Sequence, residues 1–463
     1  MLLLCLAILF PFLFQGAAPR SPEAQLRTAL AAKTGSVTLP AGAIEISREI
    51  VLPPDAHDLD IRGGAGTIIK AAATFRGRAL IVLPAGKNIK IHDLSLDGNR
   101  DAVDRPGGLP PSEAMFSRFT QNNGILAETV TNLEIAQVKA AGIAGYTILV
   151  NAGHTVRIHD IRITDSGGLN ASKRNNATGG ILLEEGTTDF EVLDCRIANV
   201  RGNGIWTHSL YRSTRNARGR IAGNEFAQIG RDAIQVGHAT DVRVENNRGR
   251  MIGYPPADVD VEGQAFPVAV DTSGNVERSV YHNNQFEEID GKCFDLDGFH
   301  DGEVSGNTCL NEDEIKSYPY GNFGIIMNNA NPDMQSRNVK IMNNTINGEL
   351  FGGIFIIGSG NTVTGNHLTR LNLAHCNDPG PINCNYAPNQ PDLLRTGIYL
   401  GAGAERPDIA KGNTVTNNEI SGYGMSRHCI AAAPGVSLAA NTIARNDCSD
   451  EQALARVRFG PLH

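Results

Sequence analysis

The sequence predicts an all-β protein: a single-stranded right-handed parallel β-helix of about eleven coils with short helical caps. Two short patterns that alternate along most of the chain indicate this fold, and the composition agrees with it. The 463 residues include 51 Gly and only one Trp. Asn is often doubled, as at 283–284 and 343–344. Because Gly and Asn tolerate the left-handed backbone of tight turns, a chain rich in both contains many turns.

The first pattern is an apolar residue, usually an Asn three positions later, and another apolar residue two positions further on. It occurs as IAGNEF (221–226), VENNRG (244–249), YHNNQF (281–286), VSGNTC (304–309), IMNNTI (341–346), VTGNHL (363–368), VTNNEI (415–420) and LAANTI (438–443). The same frame without Asn occurs as IHDLSL (91–96), VTNLEI (130–135), IHDIRI (158–163) and VLDCRI (192–197). We predict that the eight Asn (224, 247, 284, 307, 344, 366, 418 and 441) form a hydrogen-bonded ladder, with Cys195 buried at the same position.

The second pattern is a small residue followed by an apolar one. It occurs at 124–125, 142–143, 180–181, 204–205, 233–234, 267–268, 293–294, 324–325, 353–354, 397–398 and 429–430. The two patterns alternate from residue 91 to residue 443, and the apolar spacing excludes helical repeats, which have a 3.6-residue period. Coils stacked at the interstrand spacing of about 4.8 Å predict a rod of roughly 50 Å.

The two ends of the chain differ from the repeats. We predict four regions: a signal peptide (1–18), an N-terminal capping helix and lead-in (19–36), the β-helix (37–448) and a C-terminal cap or tail (449–463). Helices are expected over 22–33, with Ser21 as N-cap, and over 450–457. The protein is therefore expected to be secreted, extracellular or periplasmic, with no membrane span in the mature chain.

The cysteines predict disulfides and no metal–thiolate site, and the net charge bears on nucleic acid as a partner. Removal of the signal peptide leaves seven cysteines, of which Cys376 with Cys384, Cys429 with Cys448, and Cys293 with Cys309 are expected disulfides. No cysteine has a His partner at zinc-site spacing, so a metal–thiolate site is rejected. The formal charge of −8, with no long basic run, argues against nucleic acid as a partner.

These repeats resemble the pectin lyase-like superfamily over about residues 35 to 445, including VTLPAGAIEI (37–46) and LSLDGN (94–99). The resemblance implies the β-helix fold and a secreted polysaccharide lyase, glycoside hydrolase or epimerase. The paired Asp and Gly-His-Gly of polygalacturonases, the Arg-x-Pro-x-x-Arg of pectate lyases and the Asp-Pro-His of alginate epimerases are absent. No catalytic residue is therefore transferred from a known branch.

Insertions indicate the functional face. The segments 166–178, 250–265, 311–322 and 369–396 precede the strand of the second pattern, and 209–218, 272–279, 329–338 and 401–412 follow it. Because loops on a solenoid gather on its binding face, this strand stack is predicted to form the floor of a cleft. Strand alternation gives two outward columns: Leu182, Trp206, Gln235, Ala269, Asp295, Ile326, Phe355 and Tyr399, and Glu184, His208, Gly237, Asp271, Asp297, Asn328, Ile357 and Gly401.

Asp271, Asp295 and Asp297 are the candidate catalytic residues, since all three fall in one patch of these columns. Crowded carboxylates raise at least one pKa, and a raised acid beside an ionised carboxylate suits glycoside hydrolysis. The columns place Asp271 diagonal to Asp295, about 8 Å away, and directly against Asp297. The diagonal separation suits an inverting enzyme, with Asp295 as acid and Asp271 as base, whereas the direct pair of Asp271 and Asp297, about 5 Å apart, would suit a retaining enzyme. Asp232, at a strand entrance, is a further candidate acid.

The candidate substrate-binding residues surround this patch: Glu184, Trp206, His208, Gln235, His238, Asn328, Tyr254 and Tyr320. Trp206 and the tyrosines offer rings that can stack on sugars. Histidines such as His208 and His238 are more often structural hydrogen-bonding residues than catalytic ones.

Three functions are compatible with these sequence features. The leading hypothesis is a secreted glycoside hydrolase that acts on a polysaccharide or oligosaccharide through the paired Asp, with no cofactor and no assigned metal ligand. The second is a polysaccharide lyase or epimerase, in which calcium or a basic residue neutralises a uronate. The third is a non-catalytic glycan-binding surface protein.

Overall fold

The computed structural model describes residues 21–106, 110–260, 266–376, 384 and 389–450. The strands form three parallel sheets, one on each face of a right-handed β-helix, and each coil contributes a strand to each face in turn. The inward apolar side chains of all three sheets form one continuous core along the axis.

The first sheet is a stack of fourteen strands with two short additions. The stacked strands are Gly35–Thr38, His57–Arg62, Gly86–His92, Val130–Ala136, His154–His159, Thr188–Leu193, Asn216–Ala222, Ala239–Glu245, Val280–His282, Glu303–Ser305, Lys340–Met342, Thr362–Thr364, Thr414–Thr416 and Thr442–Ala444, and the additions are Val276–Glu277 and Phe299–His300.

The long strands Ala43–Val51 and Ile68–Leu83 begin both other sheets. The second sheet continues with Ser95–Asp97, Lys139–Ala141, Arg162–Thr164, Arg196–Val200, Glu225–Ile229, Arg248–Ile252, Gln285–Ile289, Thr308–Leu310, Thr345–Asn347, His367–Leu371, Glu419–Gly422 and Asp447–Asp450. The third sheet continues with Asn123–Glu128, Ile148–Asn151, Ile181–Glu184, Ile205–His208, Ile234–Gly237, Val268–Ser273, Lys292–Asp297, Phe323–Asn328, Ile354–Ile356, Ile398–Leu400 and Ile430–Ala432.

The fold class is confirmed, and the stack is longer than the predicted eleven coils. The additional coils include the strands Gly35–Thr38 and His57–Arg62, which precede residue 91, where the alternation of the two sequence patterns begins.

The Asn ladder lies at the turn between the first and second sheets. Each amide bonds the next, as where Asn307 Nδ2 donates to Asn344 Oδ1 at 2.9 Å. The predicted last member was wrong: Asn418 donates to Asn446, at 2.8 Å, and Asn441 instead accepts from Asn413 in a second ladder. The segment IARNDC (443–448) fits the same pattern as LAANTI, so the sequence offered two frames five residues apart. At the N-terminal end, Cys195 N donates to Asn224 Oδ1 at 3.0 Å, which confirms the buried position of that thiol.

Close packing of the coils explains the small residue of the second pattern. A Cβ added to Gly180 would overlap the carbonyl oxygen of Gly204 in the next coil. Only glycine or another small residue allows the backbones to approach so closely where each coil enters the third sheet.

The structure agrees in part with the predicted capping helices and fully with the predicted disulfides. The first helix spans Pro22–Ala29, shorter than predicted, and Ser21 Oγ accepts from Ala24 N at 3.3 Å. The other helical segments are Arg100–Val103, Phe116–Phe119 and Met425–His428, and four single turns, Pro256–Asp258, Ile315–Ser317, Leu393–Arg395 and Leu438–Ala440. All three predicted disulfides are confirmed.

The predicted signal peptide and C-terminal helix lie outside the described residues. Within the described ranges, no helix is both long and apolar enough to span a membrane. Disulfides persist in oxidising compartments, so the three bonds fit an extracellular protein.

Candidate functional site

The outer face of the third sheet has an acidic centre between two apolar ends. One outward column runs through Leu126, Leu149, Leu182, Trp206, Gln235, Asp271, Asp295, Ile326, Phe355 and Tyr399. Its N-terminal part is covered by Phe116, and at the C-terminal end Tyr399 is fully buried beside Asp392. The polar centre is therefore confined to a few coils.

The structure corrects the register of one coil. Asp271 pairs directly with Asp295 on one side and with Gln235 on the other, and not with Asp297. The second sequence pattern predicts Pro267-Val268 as the small–apolar pair, whereas Val270 is the residue in register with Phe294. A shift of two residues keeps Asp271 on the outer face, because strand side chains alternate with a period of two. The shift changes which residues lie beside Asp271: Asp295 becomes its direct partner and Asp297 its diagonal partner.

A chain of side-chain amides holds Asp271. Asn203 Nδ2 donates to Gln235 Oε1 at 2.7 Å, and Gln235 Nε2 donates to Asp271 Oδ2 at 2.7 Å. Burial raises the pKa of Asp271 well above its ordinary value, and the nearby carboxylates of Asp232 and Asp295 raise it further. The raised pKa favours the protonated form of Asp271.

Asp295 forms a salt bridge with Lys292. The ammonium of Lys292 contacts Asp295 Oδ2 in a salt bridge, and Asp295 is 5% exposed. The Oδ1 atom of Asp295 is fully buried, with no hydrogen-bond partner within the part of the chain that the structure describes. Asp295 is therefore a largely buried carboxyl group with Lys292 as its counterion.

Asp297 and Asp232 complete the acidic site, which we define as Asp232, Asp271, Asp295 and Asp297. Asp297 is half-buried, and its Oδ1 accepts from Ala330 N at 3.0 Å. Burial raises the pKa of Asp297 to about 7. Burial also raises the pKa of Asp232 to about 6, although the adjacent Arg231 opposes the shift.

Glu184, predicted to bind substrate, is fully buried under the helix Phe116–Phe119. Its carboxylate accepts from Phe116 N at 2.9 Å, Ser117 N at 2.7 Å and Asn151 Nδ2 at 3.0 Å. The contacts anchor this covering helix to the sheet and leave Glu184 inaccessible to a ligand. Ligand atoms of Glu184, Glu185 and His208 lie within 4.8 Å of one another, but those of Glu184 are already used by the helix.

Trp206 and His208 belong to the same covered end. Trp206 is 7% exposed and packs edge-on against Phe116, with ring centroids 4.8 Å apart. His208 lies 5.1 Å from Trp206 by ring centroids, and burial lowers its pKa to about 4. Burial and the charge of Arg215 lower the pKa of His238 to about 4, so both histidines are neutral at pH 7. Trp206 is thus a packing residue rather than an open sugar platform.

Tyr254, Tyr320 and Asn328 lie in or beside the loops that flank the site. Tyr254 Oη donates to Ser317 O at 2.7 Å, and Tyr320 Oη donates to Pro256 O at 2.8 Å. The two hydroxyls therefore tie two predicted loops together. On the other side, Asn328 is in register with Asp297 and donates to Glu405 Oε1 at 3.4 Å.

Two exposed rings, one on each side of the acidic site, are candidates for sugar stacking. Tyr211 and Phe266 are each 45% exposed. Tyr211 packs edge-on against His238, and Phe266 lies 6.3 Å from the ring of Tyr320. Phe266 was not among the predicted residues, although its place next to the insertion before Val268 was a usable signal.

Comparison with known proteins supports the fold. A family model described as "Right handed beta helix region" matches residues 79–250. A search of curated proteins finds no significant match. The surface protein and adhesin PfbA of Streptococcus pneumoniae is 12% identical, with a TM-score of 0.52 and coverage of 92% of this chain and 94% of that one. The A-module of the mannuronan C-5 epimerase AlgE4 of Azotobacter vinelandii is 13% identical, with the same TM-score and the same coverage.

The chain is a right-handed parallel β-helix protein with the pectin lyase-like fold. At these identities, the similarity to solved structures concerns the fold alone.

Proposed function

We propose that this protein is a secreted glycoside hydrolase that acts on a polysaccharide or oligosaccharide at the acidic site. The observation that carries the proposal is the grouping of Asp271 and Asp297 around Asp295 and Lys292 on the face that the loops flank. Glycoside hydrolysis requires one protonated and one ionised carboxyl group. The raised pKa of Asp271 suits the protonated role, and Asp297, with a pKa of about 7, takes the ionised role above that pH.

The corrected register supports an inverting mechanism. Residues two apart on a strand are separated by about 6.6 Å and neighbouring strands by about 4.8 Å, so the diagonal from Asp271 to Asp297 is about 8 Å. This value falls in the range of roughly 6.5–9.5 Å that leaves room for a water molecule. Asp271 donates its proton to the glycosidic oxygen as the bond to the anomeric carbon breaks. Asp297 removes a proton from the water that attacks the same carbon from the opposite face.

Asp295 has a different role in this mechanism from the one the sequence suggested. Its charge raises the pKa of Asp271, which keeps the acid protonated until substrate arrives. Tyr211 and Phe266, on the two sides of the site, provide apolar surfaces for sugar rings.

One observation favours a second candidate, a polysaccharide lyase. Lys292 is a half-buried cation within the acidic site. A lysine beside a uronate could neutralise the carboxylate or remove the adjacent proton. The mannuronan epimerase that shares the fold supports glycans as the class of ligand to test, and the adhesin represents the binding-only alternative.

The test is a screen of the purified chain against neutral and uronate-containing polysaccharides. We expect new reducing ends without new absorbance near 235 nm. The Asp271→Asn variant, which keeps the hydrogen-bond acceptor for Gln235, is the control for contaminating activity. Absorbance near 235 nm would instead identify the lyase, and binding without any cleavage would identify a binding protein.

A further inference from the structure

A second face of the rod carries a groove of the opposite charge. It lies on the outer side of the second sheet and encloses about 390 Å³. Its polar lining contains four arginines against one glutamate: Arg162, Arg196, Arg248, Arg250 and Glu225. We call these residues and the intervening small side chains the basic groove. In a chain with a formal charge of −8, such an excess of cations is a local feature.

Strand register arranges these charges in a line along the rod. Lys139, Arg162 and Arg196 are in direct register on successive strands, followed by Glu225 and Arg248. The positions therefore repeat at about the 4.8 Å spacing of neighbouring strands. Four of these five positions are cationic, so the row is complementary to a linear polymer that carries repeated negative charges.

The floor of the groove is open because its outward side chains are small. Two residues further along the strands, the outward column reads Thr164, Ala198, Ala227 and Arg250, and Glu287 follows Arg250 on the next strand. All three small residues are half-buried, while Arg162 and Arg250 are exposed. A ligand can therefore approach the backbone between the arginine row and the edge of the sheet.

Glu225 leaves most of this charge unneutralised. Arg196 Nε lies 3.3 Å from Glu225 Oε2, and Arg248 contacts Glu225 Oε1. A single carboxylate is thus shared by two guanidinium groups. A neighbouring concavity of about 450 Å³ shares Glu225 and Arg248 and adds the amides of Asn246, Asn283 and Gln285. Amides beside arginines suit a ligand that carries both hydroxyl groups and anions.

We propose that the basic groove binds a linear anionic polysaccharide, carboxylated or sulfated, lying along the rod axis. The proposal goes beyond the hydrolytic function, since this face is separate from the acidic site. The lining suits a glycan better than the alternatives. Phe226, the aromatic residue in the described lining, is 2% exposed, so no ring is offered to stack on a nucleobase. The small, half-buried floor also lacks the large apolar anchors that protein partners use.

The test is binding of fluorescently labelled alginate and heparin fragments to the full chain at low salt. The variant Arg162→Ala/Arg250→Ala removes two exposed cations from the lining of the groove. The matched control, Lys87→Ala/Lys340→Ala, removes the same charge from exposed positions on the first sheet. We expect at least one of the two fragments to bind, and its binding to weaken as salt is added. The groove variant should bind that fragment at least tenfold more weakly than the wild type. The control variant should change the affinity by less than twofold.

Three results would overturn the proposal: no binding of either fragment, equal losses in the two variants, or single-stranded DNA of equal charge that binds as tightly. Binding of alginate alone or of heparin alone would identify the anion as carboxylate or sulfate. Melting temperatures of both variants within a few degrees of the wild type establish that any loss comes from the groove.

Discussion

Replacing Asp271 or Asp297 by Asn is expected to lower kcat/KM by about 10²- to 10⁴-fold, the usual contribution of a general acid or base. Asn keeps the size of each side chain but cannot supply or accept the proton. The Asp295→Asn variant, which touches neither the glycosidic oxygen nor the water, should lose less. Turnover close to wild type in either of the first two variants would contradict the assignment.

The pH profile provides an independent measure of the same pair. Asp297 must be ionised to act as base, and its pKa is about 7. Activity should therefore increase as the pH rises through about 7 and fall only when Asp271 loses its proton. Because Asp295 raises the pKa of Asp271, its replacement by Asn should move the alkaline fall to lower pH. The pH dependence of kcat/KM for the wild type and this variant measures both effects.

The second large effect concerns stability. The Asn307→Ala variant should lower the free energy of unfolding by about 3–6 kcal/mol, since each buried polar group left unpaired costs about 1–3 kcal/mol. Asn307 Oδ1 accepts from Asn284 N and Nδ2, both at 2.9 Å, and Asn307 Nδ2 donates to Tyr281 O at 3.0 Å. Alanine removes the acceptor of both Asn284 donors and the donor to Tyr281 O, and it leaves Asn284 Nδ2 with only its bond to Val244 O. The loss should appear as a lower midpoint in urea unfolding.

Gln285→Ala is the control for the ladder variant. Gln285 follows the ladder residue Asn284 directly in the chain but is exposed. Its replacement should change stability by no more than about 0.5 kcal/mol. Equal stabilities for the two variants would mean that the ladder bonds contribute little to the fold.

The sequence was sufficient for the fold because one structural rule repeats in every coil. Each coil contains the same sequence pattern: inward apolar residues, an Asn at a turn and a small residue at the entry to the third sheet. The disulfides were also predictable, since Cys429 and Cys448 both belong to the repeat and lie one coil apart.

The register at the site could not be read from the sequence with the same certainty. Pro267-Val268 and Ala269-Val270 both satisfy the small–apolar pattern. A shift of two residues leaves every side chain on its predicted face, so inward–outward alternation cannot distinguish the two frames. Only pairing with the neighbouring strand determines which Asp lies beside which.

The covering helix Phe116–Phe119 was missed, although a signal was present. The outward residues of the N-terminal coils, Leu126, Leu149 and Leu182, are apolar. An exposed apolar column on a sheet requires a cover, and this column predicts one over the N-terminal end of the third sheet. With that cover included, Glu184 and Trp206 would have been assigned to packing.

The measurement that tests the proposed Asp271–Asp297 pair most directly is the anomeric configuration of the first sugar released, followed by proton NMR on a cleaved glycan. The diagonal pair predicts inversion, because its separation of about 8 Å accommodates a water molecule. Retention would contradict this mechanism, since it requires carboxyls about 5 Å apart and would assign catalysis to the directly paired Asp271 and Asp295.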